Sequence, residues 1–294
     1  SPLEGSQATS AGTLQGIINI PGLDYLNLTQ AFADVNEKGL SDDIVLVLLG
    51  TYNCATETYP IVCPLPNAVG DFNVTVWPDV PGISIISDHP TGTLDFNGCR
   101  NIIFNGSEDG DNVFKYLLIE NTNTSGFAMR FINDAVNNKV KYCRIKGVTT
   151  NPENGVVLFS TTDGPEGNDC NKISNCDIGD GMSTPINCVY GAGTNATSGQ
   201  YNNYDTIVDC DIFNFYHASN NVNGGIGVNL GDGNADWYIC CNHFYQTSDR
   251  TSFGSGATVN GILLSSTDIN NMELCFNHIG GTTSWCGSTP WVLG

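Results

Sequence analysis

Short apolar segments alternate with polar turns along the chain, and from residue 140 onward one six-residue pattern returns at a nearly constant interval. Each copy begins with a large aliphatic residue, has Cys or Asn three positions later, and ends with an apolar residue two positions after that. The starts of successive copies are 33, 34, 32 and 35 residues apart, an interval typical of stacked repeat proteins. The five copies are VKYCRI (140–145), ISNCDI (173–178), IVDCDI (207–212), ICCNHF (239–244) and LCFNHI (274–279).

A second apolar segment follows each copy after a loop of variable length, as in GVVLF from Gly155 and GIGVNL from Gly225. The repeats are rich in Gly, Asn, Thr and Val and lack apolar residues at helical spacing, which argues against a helical solenoid. A β-propeller blade requires four strands in a longer unit. The pattern therefore predicts an all-β fold, a parallel β-solenoid in which each repeat is one coil and equivalent strands stack into long sheets.

The Cys or Asn position of each copy predicts a ladder of small side chains inside the stack. Coils in such a fold lie about 4.8 Å apart, so equivalent side chains of successive coils meet. Asn tolerates the left-handed backbone of a bend, and Cys tolerates burial. Stacked cysteines, including Cys240 and Cys275, have Cα atoms close enough for a disulfide, but their side chains run parallel. The pattern is therefore equally compatible with free thiols and with disulfides. The predicted ladder is Cys143, Cys176, Cys210, Asn242 and Asn277.

The N-terminal part of the chain has a different pattern, that of one amphipathic helix followed by a strand. NLTQAFADVNEKG begins with a capping box between Asn27 and Gln30, carries apolar residues at helical spacing and ends at Gly39. We expect residues 1–70 to form a cap with the first strands, and residues 71–294 to form the coils of the same continuous domain. No comparable cap is predicted at the C-terminus, which indicates an omitted segment, a further domain or a contact with another molecule.

The charge of the chain limits its partners. Ten Lys and Arg stand against 30 Asp and Glu, a net charge of -20, so a nucleic-acid backbone or an anionic membrane would be repelled. No apolar run reaches the 18 or more residues that a membrane-spanning helix needs. We therefore expect neither nucleic-acid binding nor membrane insertion.

Cysteine usage favours an extracellular setting. Twelve cysteines, together with abundant Gly, Asn and Thr, are more typical of an oxidising compartment than of the cytosol. Cys54 and Cys63 flank a short loop and are the best local candidates for a disulfide, although two free thiols are equally compatible with this spacing.

Two groups of residues are candidates for binding a metal ion. The loop SEDGDN supplies Glu108, Asp109 and Asp111, whose oxygen atoms suit Ca²⁺, although the loop does not follow the helical-hairpin calcium pattern. His243 and His278 occupy the same position in successive copies, but two ligands do not make a structural zinc site. Stacked surface imidazoles and a solvated acidic loop are the simpler interpretations.

The chain resembles the right-handed parallel β-helix proteins. The segments GLDYLNLTQAFADVN, DIVLVLLGTYN, RFINDAVNNKVKYCRIKG and VVLFSTTDGPEGNDCNKISNCDI are similar to repeat-bearing secreted surface proteins of Bacteroidota, which are often exported by the type IX route. This resemblance implies a right-handed β-helix with an N-terminal capping helix, located outside the cell or on its surface. It also implies an adhesive or matrix role, with other surface proteins, polysaccharide or further copies of the chain as partners.

Catalytic residues are a weaker interpretation of the same repeats. Arg144-Ile145-Lys146 is similar to the substrate clamp of β-helix polygalacturonases, but the other motifs of that family are absent and their order along the chain differs. Asp209 and Asp211, with Asp177 stacked on Asp211, could form the carboxylate pair of a glycoside hydrolase. Outward positions of an acidic repeat are more often a solvated surface.

These observations favour a non-catalytic extracellular structural or adhesive solenoid that self-assembles end to end into a filament or matrix. The alternatives are a polysaccharide lyase or glycoside hydrolase that uses the three aspartates, and a glycan-binding module that uses exposed aromatic residues such as Tyr201, Tyr204 and Tyr216. No cofactor is predicted apart from the Ca²⁺ that the acidic loop would bind.

Overall fold

The computed structural model describes residues 12–107, 111–217, 223–250, 258–266 and 269–286. The helices in these ranges are Leu28–Lys38 (α1) and Pro66–Val69 (α2), and neither is long and apolar enough to cross a membrane. The strands, in chain order, are Leu14–Ile20 (β1), Leu40–Leu48 (β2), Ile61–Val62 (β3), Val74–Pro78 (β4), Ser84–Ser87 (β5), Gly92–Asn97 (β6), Ile102–Asn105 (β7), Leu117–Asn121 (β8), Phe127–Ile132 (β9), Lys139–Lys141 (β10), Cys143–Gly147 (β11), Val157–Phe159 (β12), Lys172–Ser174 (β13), Asp177–Asp180 (β14), Asn187–Gly191 (β15), Asn202–Asn203 (β16), Thr206–Val208 (β17), Asp211–Phe213 (β18), Asn223–Leu230 (β19), Asn234–Ala235 (β20), Tyr238–Cys240 (β21), His243–Tyr245 (β22), Thr258–Leu264 (β23), Glu273–Cys275 (β24) and His278–Ile279 (β25).

Three long parallel sheets run through the molecule. Sheet 1 contains β1, β2, β4, β7, β10, β13, β17, β21 and β24; sheet 2 contains β5, β8, β11, β14, β18, β22 and β25; and sheet 3 contains β3, β6, β9, β12, β15, β19 and β23. The strands of one repeat, such as β10, β11 and β12, enter sheets 1, 2 and 3 in turn, so each repeat is one coil. The predicted all-β fold is therefore confirmed as a parallel β-solenoid of about seven turns.

Both apolar positions of the six-residue pattern face the interior and stack from coil to coil. Val140 aligns with Ile173, and the row continues through Ile207, Ile239 and Leu274. The first four side chains are fully buried, whereas Leu274 in the last described coil is 44% exposed. The second apolar position forms a parallel row of Ile145, Ile178, Ile212, Phe244 and Ile279. These rows form the apolar column that the repeat predicted.

One residue with left-handed backbone joins sheet 1 to sheet 2 in each of five successive coils. We expected this conformation at the ladder residues Asn242 and Asn277, but the structure places it one residue earlier, with φ between 51° and 58°. The physical reason is that the ladder side chain must point inward to bond the next coil, so the residue before it makes the bend. The left-handed residues are Tyr142, Asn175, Asp209, Cys241 and Phe276.

The ladder itself satisfies backbone N–H groups that the bends leave without a partner in the sheets. The N–H of Cys176 donates to Cys210 Sγ at 3.4 Å, and the N–H of Cys210 donates to Asn242 Oδ1 at 3.0 Å. Asn242 in turn donates from its backbone N–H and from Nδ2 to Asn277 Oδ1, at 3.0 and 3.1 Å. Cys143, Cys176 and Cys210 are buried free thiols, and burial raises the pKa of both Cys176 and Cys210.

A second ladder lies where the chain enters sheet 1. The backbone N–H of Asn138 donates to Asn171 Oδ1 at 3.1 Å, and that of Asn171 donates to Asp205 Oδ1 at 2.8 Å. All three residues are fully buried. The repeat contains a signal for this ladder, because an Asn or Asp stands two residues before the leading aliphatic residue in NKV, NKI and DTI.

Helix α1 packs against β1, β3 and α2, at the N-terminal end of the stack. Its N-cap is Asn27, whose Oδ1 accepts from the N–H of Gln30 at 2.9 Å, and Gly39 follows its last turn with φ of 72°. The Gln30 side chain accepts from the N–H of Leu26 rather than closing the capping box on Asn27. The carboxylate of Glu57, from a loop later in the chain, completes the N-terminal cap of α1.

The structure does not join Cys54 to Cys63. Cys54 lies half-buried at the start of a short 3₁₀ turn, Cys54–Thr56, whereas Cys63 is fully buried after β3. Burial and the neighbouring Cys99 thiol raise the pKa of Cys63. Because one side chain stays near the surface and the other turns into the core beside Cys99, both remain free thiols.

Replacing Glu57 tests the cap of α1. Its carboxylate accepts from the N–H groups of Leu28 and Thr29 at 2.7 and 2.8 Å, in the first turn, where a negative charge also interacts favourably with the positive end of the helix dipole. Glu57→Gln should lower the free energy of unfolding by about 1–2 kcal/mol in urea titrations. Glu37→Gln removes the same charge near the other end of the helix and should cause no loss; equal losses would contradict the capping role.

Because the carboxyl group of Asp205 is buried, we predict that the stability of the fold depends on pH. Its Oδ2 is buried without a hydrogen-bond partner, and burial raises the pKa of the carboxyl well above its usual value. A raised folded-state pKa stabilises the fold below the unfolded pKa of about 4, and this contribution is lost as pH rises through the folded-state pKa. Asp205→Asn keeps an acceptor for Asn171 and cannot ionise. Thermal unfolding should show a larger gain for this variant at pH 8 than at pH 4; a gain independent of pH would refute the assignment.

Candidate functional site

The outer face of sheet 2 carries one row of polar side chains that crosses five successive strands. Arg144 aligns with Asp177, Asp177 with Asp211, Asp211 with His243, and His243 with His278. These residues point outward because each precedes a residue of the inward apolar row, and neighbours along a strand face opposite sides. We call these five residues the polar row.

Hydrogen bonds fix the centre of the polar row. Lys115, in the turn before β8, forms an ion pair with Asp177. Asp211 Oδ1 lies 3.0 Å from His243 Nδ1 and accepts from Ser284 Oγ at 2.6 Å. Burial lowers the pKa of Lys115, but the hydrogen bond and the negative charge of Asp177 outweigh it, so the net pKa is raised. Asp177 is therefore held by Lys115, and Asp211 has partners in two other segments.

Three aromatic rings cluster at the end of the polar row. The ring of Trp285 lies 4.4 Å from that of His243 and 5.1 Å from that of His278, measured between centroids. Trp285 belongs to the short segment Ser284–Cys286, is 70% exposed, and has a left-handed backbone with φ of 63°. Trp285 therefore places an exposed ring beside the two imidazoles of the polar row.

A second outward row lies beside the first. The rings of Phe213 and Tyr245 stack with centroids 5.2 Å apart, and Phe213 extends over Gly179, where a Cβ atom would lie 2.8 Å from its ring. Burial and the charge of Asp211 raise the pKa of Tyr245 to about 12, against the opposing hydrogen bond to Ser284. The polar row thus borders an aromatic surface on the same sheet.

The Arg144-Ile145-Lys146 segment is part of the scaffold as its position in the repeat predicted. Ile145 is fully buried, while Arg144 and Lys146 flank it on β11 and face outward. Arg144 aligns with Asp177, but the ion pair of that carboxylate is with Lys115. Arg144 Nε is buried without a hydrogen-bond partner.

The three candidate acids do not share one position. Asp177 and Asp211 are direct neighbours on β14 and β18, as the repeat predicted. Asp209 is the left-handed residue of the bend between β17 and β18, with φ of 55°, and is exposed. It therefore lies off the polar row, because the residue that makes the bend does not belong to either strand. Sequence reasoning had treated all three as one set.

The calcium candidate rests on residues that are only partly described. Asp111 is exposed, and its Oδ1 accepts from the N–H of Val113 at 3.0 Å, a local turn contact. Glu108 and Asp109 lie outside the described residues. The acidic loop therefore stays a prediction.

Lys115, Ser284 and Trp285 were missed by sequence reasoning. All three lie in turns outside the six-residue pattern, and they reach the polar row only because the coils stack. The sequence contains no periodic signal that would have placed them there.

Comparison with known proteins gives no match: no protein-family model, no curated protein and no solved structure matches the chain.

Asp211 should hold the Ser284–Cys286 segment. Asp211→Ala removes the acceptor of Ser284 Oγ, and a hydrogen bond to a charged group contributes about 1.5–3 kcal/mol. Hydrogen exchange at residues 284–286 should become at least tenfold faster. Asp209→Asn removes an exposed charge two residues away with a residue type that tolerates the left-handed backbone, and it should leave this exchange unaltered. The same acceleration in both variants would contradict the assigned contact.

Proposed function

We propose that the chain binds an extended polysaccharide along the outer face of sheet 2. The observation that carries this proposal is the alignment of five hydrogen-bonding residues on successive strands, ending beneath the exposed Trp285. Strands in a sheet are spaced by about 4.8 Å, so the polar row offers hydrogen-bonding groups at a regular interval. A ligand that is itself a linear, repeating chain can use several of these contacts at once.

The chemistry of the surface supports a polyhydroxylated ligand. A guanidinium and an ammonium donate hydrogen bonds, carboxylates accept them, and imidazoles do either, which matches sugar hydroxyl groups. Trp285 adds a large apolar surface with a polar edge, a residue type enriched in binding sites. The net charge of -20 disfavours a nucleic acid as the linear ligand. A location outside the cell or on its surface belongs to the same proposal, because such polymers are met there.

Hydrolysis of the bound polymer is the second candidate. Asp177 and Asp211 are neighbours on adjacent strands, and retaining glycoside hydrolases hold their two carboxyl groups about 5–5.5 Å apart. One of the two must then carry a proton to act as the acid. Because Lys115 contacts Asp177 while His243 and Ser284 contact Asp211, both carboxylates have donors, which favours binding over catalysis.

End-to-end assembly is less favoured by the geometry. A filament in which the sheets continue from one molecule into the next requires unpaired strand edges at both ends of the stack. At the N-terminal end α1 packs over β1 and β3, and Leu14, Ile18 and Ile20 of β1 are buried. The adhesive role is therefore assigned to the side of the solenoid rather than to its ends.

Affinity electrophoresis of the purified chain through gels that contain a neutral β-glucan or a polyuronate tests the proposal. The chain should be retarded by at least one polymer, and Trp285→Ala should weaken this binding by five- to tenfold, the equivalent of about 1–1.5 kcal/mol. Tyr204→Ala is the matched control, since Tyr204 is also an exposed aromatic residue, 62% exposed, but lies off sheet 2.

Absence of retardation on both polymers, or equal weakening by both variants, would contradict a site on sheet 2. A reducing-end assay on the same polymers separates the two candidates. Release of sugar that Asp177→Asn abolishes supports hydrolysis, and binding without release supports the binding role alone.

A further inference from the structure

Sheet 1 carries a square of four outward side chains on two neighbouring strands. Tyr238 and Cys240 lie on β21, Glu273 and Cys275 lie on β24, and the pairs Tyr238–Glu273 and Cys240–Cys275 are directly aligned. The intervening Ile239 is fully buried, so the residues on either side of it point outward. The four side chains converge on a face of the solenoid different from that of the polar row.

Cys240 and Cys275 are joined by a disulfide, with Cα atoms 4.6 Å apart. Cys275 Sγ also lies 3.9 Å from Glu273 Oε1 and 3.7 Å from Tyr238 Oη. Two sulfur atoms and one carboxylate oxygen thus lie within 4.8 Å of one another, a group of three donors of the kinds that bind a metal ion. Within the described ranges, no second group of this kind occurs.

We propose that Cys240, Glu273 and Cys275 form a thiol-dependent site for a borderline-soft divalent ion of the Zn²⁺ type, which the disulfide blocks. Two thiolates and one carboxylate are a ligand set that Zn²⁺ accepts, and a water molecule or the Tyr238 hydroxyl completes four-coordination. Ca²⁺ is excluded as the preferred ion because it takes six to eight oxygen ligands. The disulfide and the metal complex are alternative states of the same two sulfur atoms.

A dithiol as reductant balances the atoms and electrons of the conversion from the disulfide to the metal-binding state. The dithiol transfers two electrons and two protons to the Cys240–Cys275 bond and becomes a disulfide, which leaves two thiols on the protein. Binding of the divalent ion then forms two metal–sulfur bonds and one metal–oxygen bond, and the two thiol protons pass to solvent. Oxidation by a disulfide-bearing partner reverses the first step and releases the ion.

The partners of Cys240 distinguish this pair from the other stacked cysteines. Cys240 is fully buried, but Cys275, which is bonded to it, is half-buried and Glu273 is exposed, so an ion approaches from the side of Cys275 and Glu273. The ladder thiols Cys143, Cys176 and Cys210 are all fully buried and point into the stack, away from solvent.

Titration of the full chain with Co²⁺ before and after reduction tests this inference. Reduction by a phosphine, removed before the titration, should create one Co²⁺ site with sulfur-to-metal absorption that Zn²⁺ abolishes by competition; the oxidised chain should show none. Cys275→Ser should remove the site, and Glu273→Gln, at an exposed position, should weaken binding by at least tenfold. Cys170→Ser is the control, because Cys170 is an exposed free thiol elsewhere, and should bind as the native chain does.

Equal binding by the oxidised and reduced chains would overturn the inference. The inference would also be overturned if the Co²⁺ site of the reduced chain persisted in Cys275→Ser and in Glu273→Gln but was lost in Cys170→Ser. Far-UV circular dichroism of each variant distinguishes loss of ligands from loss of fold.

Discussion

The structure depends on one constraint: each coil must turn sharply between sheets while leaving no buried backbone N–H without a partner. The bend from sheet 1 to sheet 2 uses a single left-handed residue, and the side chain that follows it accepts the N–H of the equivalent residue in the preceding coil. Asn, Asp and Cys all provide a small acceptor in these ladders, which explains why Cys210 and Asn242 occupy equivalent positions. Repetition of this unit keeps the coils in register.

Register in turn creates the surface chemistry. Because inward positions are fixed by the apolar column, outward positions of one strand align with those of the next, and side chains distant in sequence become neighbours. Asp211 contacts His243 of the next coil and Ser284, which is 73 residues away along the chain. The same rule aligns Cys240 with Cys275 on sheet 1. Binding surfaces of this fold are therefore formed by aligned residues of successive coils, rather than by the residues of one loop.

The sequence predicted what is periodic. The parallel solenoid, its two apolar rows and the neighbouring positions of Asp177 and Asp211 follow from the six-residue pattern. The left-handed bend was misplaced by one residue, because a rule that favours Asn there does not anticipate Tyr142 or Phe276. Lys115 and Trp285 could not be placed, since turns of variable length carry no period, and their contacts arise from stacking alone.

The most direct test of the aligned row is the distance between two spin labels on sheet 2. Each label is attached through a ketone-bearing amino acid, so that the native cysteines stay unlabelled. Positions 84 and 278 are six strand steps apart, through Leu118, Arg144, Asp177, Asp211 and His243. At about 4.8 Å per step, double electron–electron resonance should give a narrow distribution of distances centred at about 29 Å. A broad distribution, or one without a maximum near this value, would contradict the stacked register on which both proposed sites depend.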